Sequence, residues 1–326
     1  MGTALARNTI SYYSHARTAL LHGLQSLGLR PGDGLLLPDT ICDVVLNPLS
    51  RLGVEYGFYP LREDFSPDWA GLEACVTPQT RAVLMVHFFG QPQDIDRFQG
   101  FCRAKDLFLI EDNAHGHRGT LGGRELGTFG DVGISSPRKF VHTACGGLLW
   151  LRGEPAPPAS DLVPYPLSLR RYFQQKFSLR YPGLIAAAKR RVGLRPGFED
   201  PRASRESPIE SYAVDTESIQ VLESADWAAI RTARRESYAA WEGLVSRWNL
   251  VPVHPSLHPE ANPWCFAAYA ENRQEATRIC EWGWKAGAVV YRWPALPEEI
   301  LVEAGAAVGR WDRLLCFSTA SPPPAL

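Results

Sequence analysis

Between residues 11 and 150, short continuous apolar runs alternate with stretches of helical periodicity. Helical spacing over 17–27 stops at Gly28 and gives way to GLLLP at 34–38. Helical spacing over 44–52 leads to VEYGFYP at 54–60, and a helix near 68–75 precedes RAVLMVHFFG at 81–90. DIDRFQGFCRAK then precedes LFLIED at 107–112, and DVGISS and GGLLWL read as two further short strands. The runs are too continuous for half-exposed strands, so they predict a parallel sheet covered on both faces. The fold class is α/β, doubly wound.

The texture changes at residue 152. Residues 152–211 are rich in Pro and Arg, with ten Lys or Arg between Arg170 and Arg205. That stretch reads equally as a solvated linker with helical portions or as a basic amphipathic segment meeting an anionic ligand or membrane surface. A long helical pattern from 218 to about 248 follows. Strands near 265–270, 288–293 and 313–318 then alternate with helices. The expected division is a large unit, residues 1–215, and a smaller C-terminal α/β unit, residues 216–326.

Composition narrows the function classes. The 326 residues are 45% hydrophobic and 21% charged, with enough apolar material for a sizeable core. Lys and Arg total 34 against 35 Asp and Glu, so the net charge of −1 gives no uniform basic field for nucleic acid. The apolar runs are too short to span a membrane. Seven scattered cysteines, with no CxxC, favour neither a metal site nor a disulfide framework. The start MGTALARNTI lacks the apolar core of a signal peptide and has Ala6 where a myristoylation motif wants Ser or Thr, so a cytoplasmic location is expected. GxGxxG, GxxxxGK[ST], HExxH and GxSxG are all missing.

Three residues stand out chemically. Asp112 closes an apolar strand, at the edge where open parallel sheets place ligand-binding groups, and a carboxylate there wants a cationic partner. His115, three residues on, is placed to stack on or hydrogen-bond the same ligand. Lys139 lies in SSPRKFVHTACGG between two predicted strands, where the neighbouring Arg138 disfavours a second charge and favours a nucleophilic amine. Each alone reads equally well as a cap, a satisfied polar group or a solvated lysine. Ser136 to Lys139 formally fits SxxK, but the companion SDN and KTG motifs of penicillin-binding enzymes are missing.

The order of segments says more. GLRPGDGLLLPDTICDVVLNPLSRLGVEYGFYPL, TPQTRAVLMVHFFGQPQDID, LFLIEDNAHGHRGTLGGRELGTFGDVG and SPRKFVHTACGGLLWL resemble, collinearly over residues 11–150, the DegT–StrS sugar-aminotransferase family. The likeness is weaker over 218–293. It implies the type I fold of enzymes using pyridoxal 5′-phosphate (PLP) and makes this chain a divergent member. By position it makes Lys139 the Schiff-base lysine and Asp112 the acid that pairs with the pyridine nitrogen. His115 falls near the ring, and Ser135 or Ser136 matches a phosphate-binding serine. Ala16-Arg17 stand where the family has a Gly-Thr phosphate cradle, and Arg17 at a helix N-terminus still suits a phosphate. Cys42 replaces the family's ring-stacking aromatic, Cys145 an acid, and Ala213 an asparagine given by the partner subunit. The implied enzyme is a homodimeric aminotransferase taking a keto sugar nucleotide or related small carbonyl metabolite, with an amino acid as donor. Two alternatives stay open: other PLP chemistry such as dehydration, or a drifted binding or scaffold relative.

Overall fold

A computed structural model describes residues 9–153, 162–165, 188, 191, 192, 200–202 and 212–324. The expected basic stretch between Arg170 and Arg205 lies almost wholly outside these residues. Seven strands form the larger sheet: β1 (Thr9–Tyr13), β2 (Gly34–Pro38), β3 (Glu55–Tyr59), β4 (Thr80–Val86), β5 (Phe108–Asn113) and, after a hairpin of β6 (Thr120–Leu121) and β7 (Arg124–Glu125), β8 (Val132–Ser135) and β9 (Gly147–Leu151). Their order is β1-β9-β8-β5-β4-β2-β3. The neighbours from β3 through β2, β4 and β5 to β8 pair in parallel, while β9 runs against both β8 and β1. The continuous apolar runs are central strands covered on both faces, as Val83, Leu84, Leu109 and Ile110 show by being buried.

Helix α1 (Ala16–Ser26) buries Leu20, Leu21 and Leu24. It ends where Gly28 takes φ +71, a conformation that side chains resist. Helices α2 (Leu46–Leu52), α3 (Trp69–Ala74) and α4 (Ile95–Lys105) connect the parallel strands, and the Asp94 carboxylate caps α4 by accepting from Arg97 N. The apolar pattern gave no strand at Thr9–Tyr13. Its mixed Thr-Ile-Ser-Tyr-Tyr suits an edge strand whose one ladder partner among the described strands is β9.

The long helix expected over 218–248 is two helices, α5 (Thr216–Ser224) and α6 (Trp227–Val245), with a 3-10 turn at Ser246–Trp248. Ala225 is extended between them, and Asp226 accepts from Ala229 N at 3.0 Å, starting a new helix where periodicity alone continued the old one. Strands β10 (Val251–Pro252), β11 (Cys265–Tyr269), β12 (Val290–Tyr291) and β13 (Leu314–Ser318) make an antiparallel sheet in the order β10-β11-β13-β12. Helices α7 (Arg273–Ala286), α8 (Glu298–Glu303) and α9 (Ala306–Arg313) complete this half.

Alternation in β11 divides its faces. Cys265, Ala267 and Tyr269 join the core of the larger sheet, whereas Phe266 and Ala268 pack with Tyr238 and Trp241 of α6 and Ile279 of α7. The main core therefore reaches across both sheets. Among the described residues no helix is long and apolar enough to cross a membrane, and no His, Cys, Asp or Glu cluster has the arrangement of a metal site.

Candidate cofactor site

A cavity opens at the C-terminal ends of the parallel strands, between the start of α1, the loop after β2, the turn after β8 and the segment after β12. Its walls include His15, Ala16, Arg17, Cys42, Asp112, His115, Ser136, Arg138, Lys139 and Trp293. About 680 Å³ of empty space lies within it, counting the open mouth.

Asp112 and Glu111 are consecutive on β5 and, by strand alternation, face opposite sides. Asp112 faces the cavity and accepts from Ala114 N through Oδ1 at 2.8 Å. Burial raises its pKa, against the Ala114 N–H and the Lys139 charge, which favour ionisation. A carboxylate so placed gains from a cation brought to it. Glu111 does different work: it takes His87 Nε2 at 2.8 Å, Gly127 N at 2.6 Å, Phe129 N at 2.6 Å and Gly130 N at 2.9 Å. It thereby ties down the loop before β8. Nothing in the pattern singled out Glu111.

Lys139 ends a 3-10 turn, Pro137–Lys139, and its Nζ lies 4.7 Å from the centroid of the Trp264 ring. His115 is sandwiched in aromatics, stacked on Trp264 at 4.3 Å and edge-on to Trp293 at 4.7 Å. Phe89 N donates to His115 Nδ1 at 3.4 Å, which leaves the ring proton on Nε2. Burial, and then the charge of Lys139, hold the His115 pKa well below the ordinary value, so the ring is neutral.

At the other end of the cavity α1 begins without an acid in its first turn and without a side-chain cap, and Arg17 stands there. A helix N-terminus with an arginine is a site for an anion. Of the two candidate serines, Ser136 is on the cavity wall. Ser135 turns into the protein, donating from Oγ to Asn113 O at 3.1 Å and lying 3.0 Å from His117 Nδ1. Cys42 is on the wall, its thiol 3.7 Å from Asp43 Oδ1. Cys145 is not: its Sγ–H donates to Asp215 Oδ2 at 2.8 Å, and burial with that carboxylate pushes the thiol pKa up to about 12. Asp215 in turn caps α5 through Ser218 N, so Cys145 fastens the glycine pair at the start of β9 to a helix start. Ala213 bridges to Tyr13.

The donor set fits PLP: an amine, a buried carboxylate with no cation in salt-bridge range among the described residues, and a helix terminus with arginine and serine for phosphate. Sequence reasoning missed His15, Trp264, Trp293 and Arg234. These come from a helix cap and from the C-terminal half, where no local signal marks a residue as reaching residue 139.

Residues 6–155 match the profile of the DegT/DnrJ/EryC1/StrS aminotransferase family. The chain is 31% identical over 144 residues to a dTDP-4-dehydro-2,3,6-trideoxy-D-glucose 4-aminotransferase of Saccharopolyspora spinosa, covering 43% of this chain and 37% of that protein. It is 29% identical over 114 residues to a GDP-4-keto-6-deoxy-D-mannose 3-dehydratase of Yersinia pseudotuberculosis, covering 35% of this chain and 29% of that one. The matches thus span well under half the length of these curated relatives. Among solved structures, a putative sugar aminotransferase from Streptococcus pneumoniae in its PLP form superposes with TM-score 0.68 at 16% identity, over 95% of this chain and 81% of the other. The 3-amino-5-hydroxybenzoic acid synthase gives 0.69 at 16% identity, over the same shares. At such identities the likeness speaks for the fold. Over residues 6–155 the chain is similar to the DegT/DnrJ/EryC1/StrS aminotransferase family, and over 95% of its length its α/β fold is like that of these two solved structures.

Proposed function

We propose that the chain is a PLP-dependent, aminotransferase-like enzyme acting on a keto sugar nucleotide or a related small carbonyl metabolite, with an amino acid as donor. The convergence of Lys139 and Asp112 on one cavity, closed at its far end by Arg17 and the start of α1, carries this reading. Bound there, PLP supplies a ring that absorbs the electron pair left when a proton leaves the substrate carbon.

The residues divide the remaining work. Lys139 Nζ is the attachment point and the group that moves the proton. Asp112 holds negative charge against the ring nitrogen, favouring its proton. Arg17, Ser136 and the first N–H groups of α1 hold phosphate. His115, neutral and fixed by Phe89 N and two tryptophans, is a wall that does not compete for the proton. Ile41, Val86, Ile134 and Trp293 keep the cavity apolar and limit water.

Purified protein with added PLP should show a visible absorption band, and borohydride should fix the cofactor to the peptide containing Lys139. Lys139→Ala should abolish both. A wild-type protein without the band would overturn the reading.

A second reading keeps the cavity and removes water from a keto sugar instead, and the likeness to the Yersinia dehydratase favours it. Transfer of the donor's nitrogen to the sugar product separates the two, since transamination leaves an amino sugar and dehydration leaves a deoxy sugar without that nitrogen. The homodimer, the cytoplasmic location and the division at residue 215 belong to the same proposal. Sedimentation of the active enzyme as a monomer would remove the dimer from it.

A further inference from the structure

Arg234, in the middle of α6, is 4% exposed and has no carboxylate in salt-bridge range among the described residues. Its guanidinium is satisfied by neutral oxygens alone. Nη2 donates to Lys139 O at 3.0 Å and to Phe140 O at 3.5 Å. Nη1 donates to Thr319 Oγ1 at 3.0 Å and to Trp264 O at 3.4 Å. The same guanidinium lies 4.5 Å from the centre of the Phe140 ring. Burial lowers its pKa to about 10, which still leaves it charged at neutral pH.

A buried cation without a counter-ion is costly, and it persists only where its donors are well used. Here they go to the two places that fix one amine. Lys139 sits on a single 3-10 turn whose own main-chain bonds are Lys139 N to Ser136 O at 3.0 Å and Phe140 N to Pro137 O at 2.8 Å. Those bonds leave the carbonyls of Lys139 and Phe140 to the guanidinium. On the other side, Arg234 holds the carbonyl of Trp264, the residue whose indole receives Lys139 Nζ. One planar fork thus sets both the turn that carries the lysine and the ring on which its amine rests.

We infer that Arg234 is a positioning residue for Lys139: by bridging the carbonyls of Lys139, Phe140 and Trp264 it sets where the Lys139 amine stands in the cavity. The assignment rests on the proposed role of Lys139 for its chemical meaning, though not for its geometry. Lysine cannot replace the fork, because an ammonium is a point donor and cannot span both sides. Methionine matches the length of the arm and supplies no donor.

The test uses Arg234→Met and Arg234→Lys in the full chain, with two readouts. In the cofactor-free protein, amides of residues 137–146 should exchange about tenfold faster or more in Arg234→Met, while those of β4 and β5 keep wild-type protection. With PLP added, the pH midpoint of the visible band should shift by about half a unit or more, because the guanidinium that holds the lysine turn and the Trp264 carbonyl has been removed. The rate of borohydride-fixed labelling at Lys139 should fall about tenfold or more, with Arg234→Lys intermediate in each measurement. Global loss of structure in Arg234→Met would leave Arg234→Lys to carry the same comparisons. Wild-type exchange over 137–146, or an unmoved band midpoint in a folded variant, would overturn the inference. If wild-type protein itself gave no band, the proposed function would fall, and the exchange measurement alone would still decide the role of Arg234.

Discussion

Two neighbouring carboxylates, Glu111 and Asp112, are driven in opposite directions by their surroundings. Burial pushes both up, but His87 and the Gly127 and Gly130 N–H groups more than reverse this at Glu111, whose pKa ends below the ordinary value. Asp112 has only one such N–H and stays raised. Glu111→Gln puts an amide N–H against a ring of donors, and should cost about 2–3 kcal/mol by urea unfolding at pH 7. Because the native pKa of Glu111 lies below its unfolded value, its contribution is whole above pH 4.5 and fades as acid passes through the lower native value. Asp112→Asn should leave folding nearly intact while weakening the PLP band, and activity should fall by about a hundredfold or more if the ring nitrogen needs its anion. Histidine supplies a second acid limb. His117, buried between Ser135 and Trp227, has its pKa lowered to about 3, by burial first and Arg118 second. Its neutral form is what folding retains, so stability is full above pH 6.5 and falls as pH drops toward 3, by about 1.4 kcal/mol per unit. Melting temperature followed from pH 7 to 4 should fall less steeply in His117→Gln than in wild type. Equal slopes would refute this.

At the scale of elements, the glycine pair at the start of β9 explains how the start of α1 reaches the cavity. A Cβ on Gly147 would stand 2.2 Å from His15 C, 2.3 Å from His15 O and 2.5 Å from Ala16 N, all main chain, so one of the two elements must move. Gly147→Ala should push the N-terminus of α1 away from its anion-holding position. The expected result is about a tenfold or greater rise in the PLP dissociation constant, read from the band, since a helix-terminus contact falls off within one turn. Unchanged affinity would mean that the α1 terminus takes no part in holding the cofactor. The break between α5 and α6 matters as well. It lets Asp215 start one helix beside Cys145 and Asp226 start the other, and the second helix carries Arg234 to the lysine turn.

For the whole molecule, the two sheets are fastened near the cavity by buried polar groups on top of a shared apolar core. Arg310 of α9, 2% exposed, donates to Asp39 Oδ1, to Thr40 Oγ1 at 3.0 Å and to Leu61 O at 2.7 Å. Asn262 Nδ2 donates to His117 O at 2.6 Å, and Trp264 N to Phe89 O at 3.0 Å. Removing one member of such a pair leaves a buried charge uncompensated. Arg310→Ala should therefore cost about 3–5 kcal/mol. Calorimetry should also show the C-terminal half melting ahead of the larger sheet, and a single transition with unchanged midpoint would contradict the coupling.

The sequence by itself determined the alternation of strands and helices through residue 151, because parallel strands buried on both faces must be continuously apolar and their helices periodic. The resemblance of ordered segments made Lys139 and Asp112 a candidate pair, and both line one cavity. Other features had no such trace. Edge strand β1 carries a mixed pattern, since it lies at the margin of the sheet, and the Asp226 cap interrupts an otherwise helical rhythm by a single side-chain hydrogen bond. Which serine faces the cavity is a matter of one residue's alternation at a strand end, and pattern alone could not choose Ser136 over Ser135. Trp264, Trp293 and Arg234 reach the site from more than ninety residues away. A contact made across the chain depends on how two sheets pack, and only the tertiary structure decided that these three would enclose Lys139 and His115.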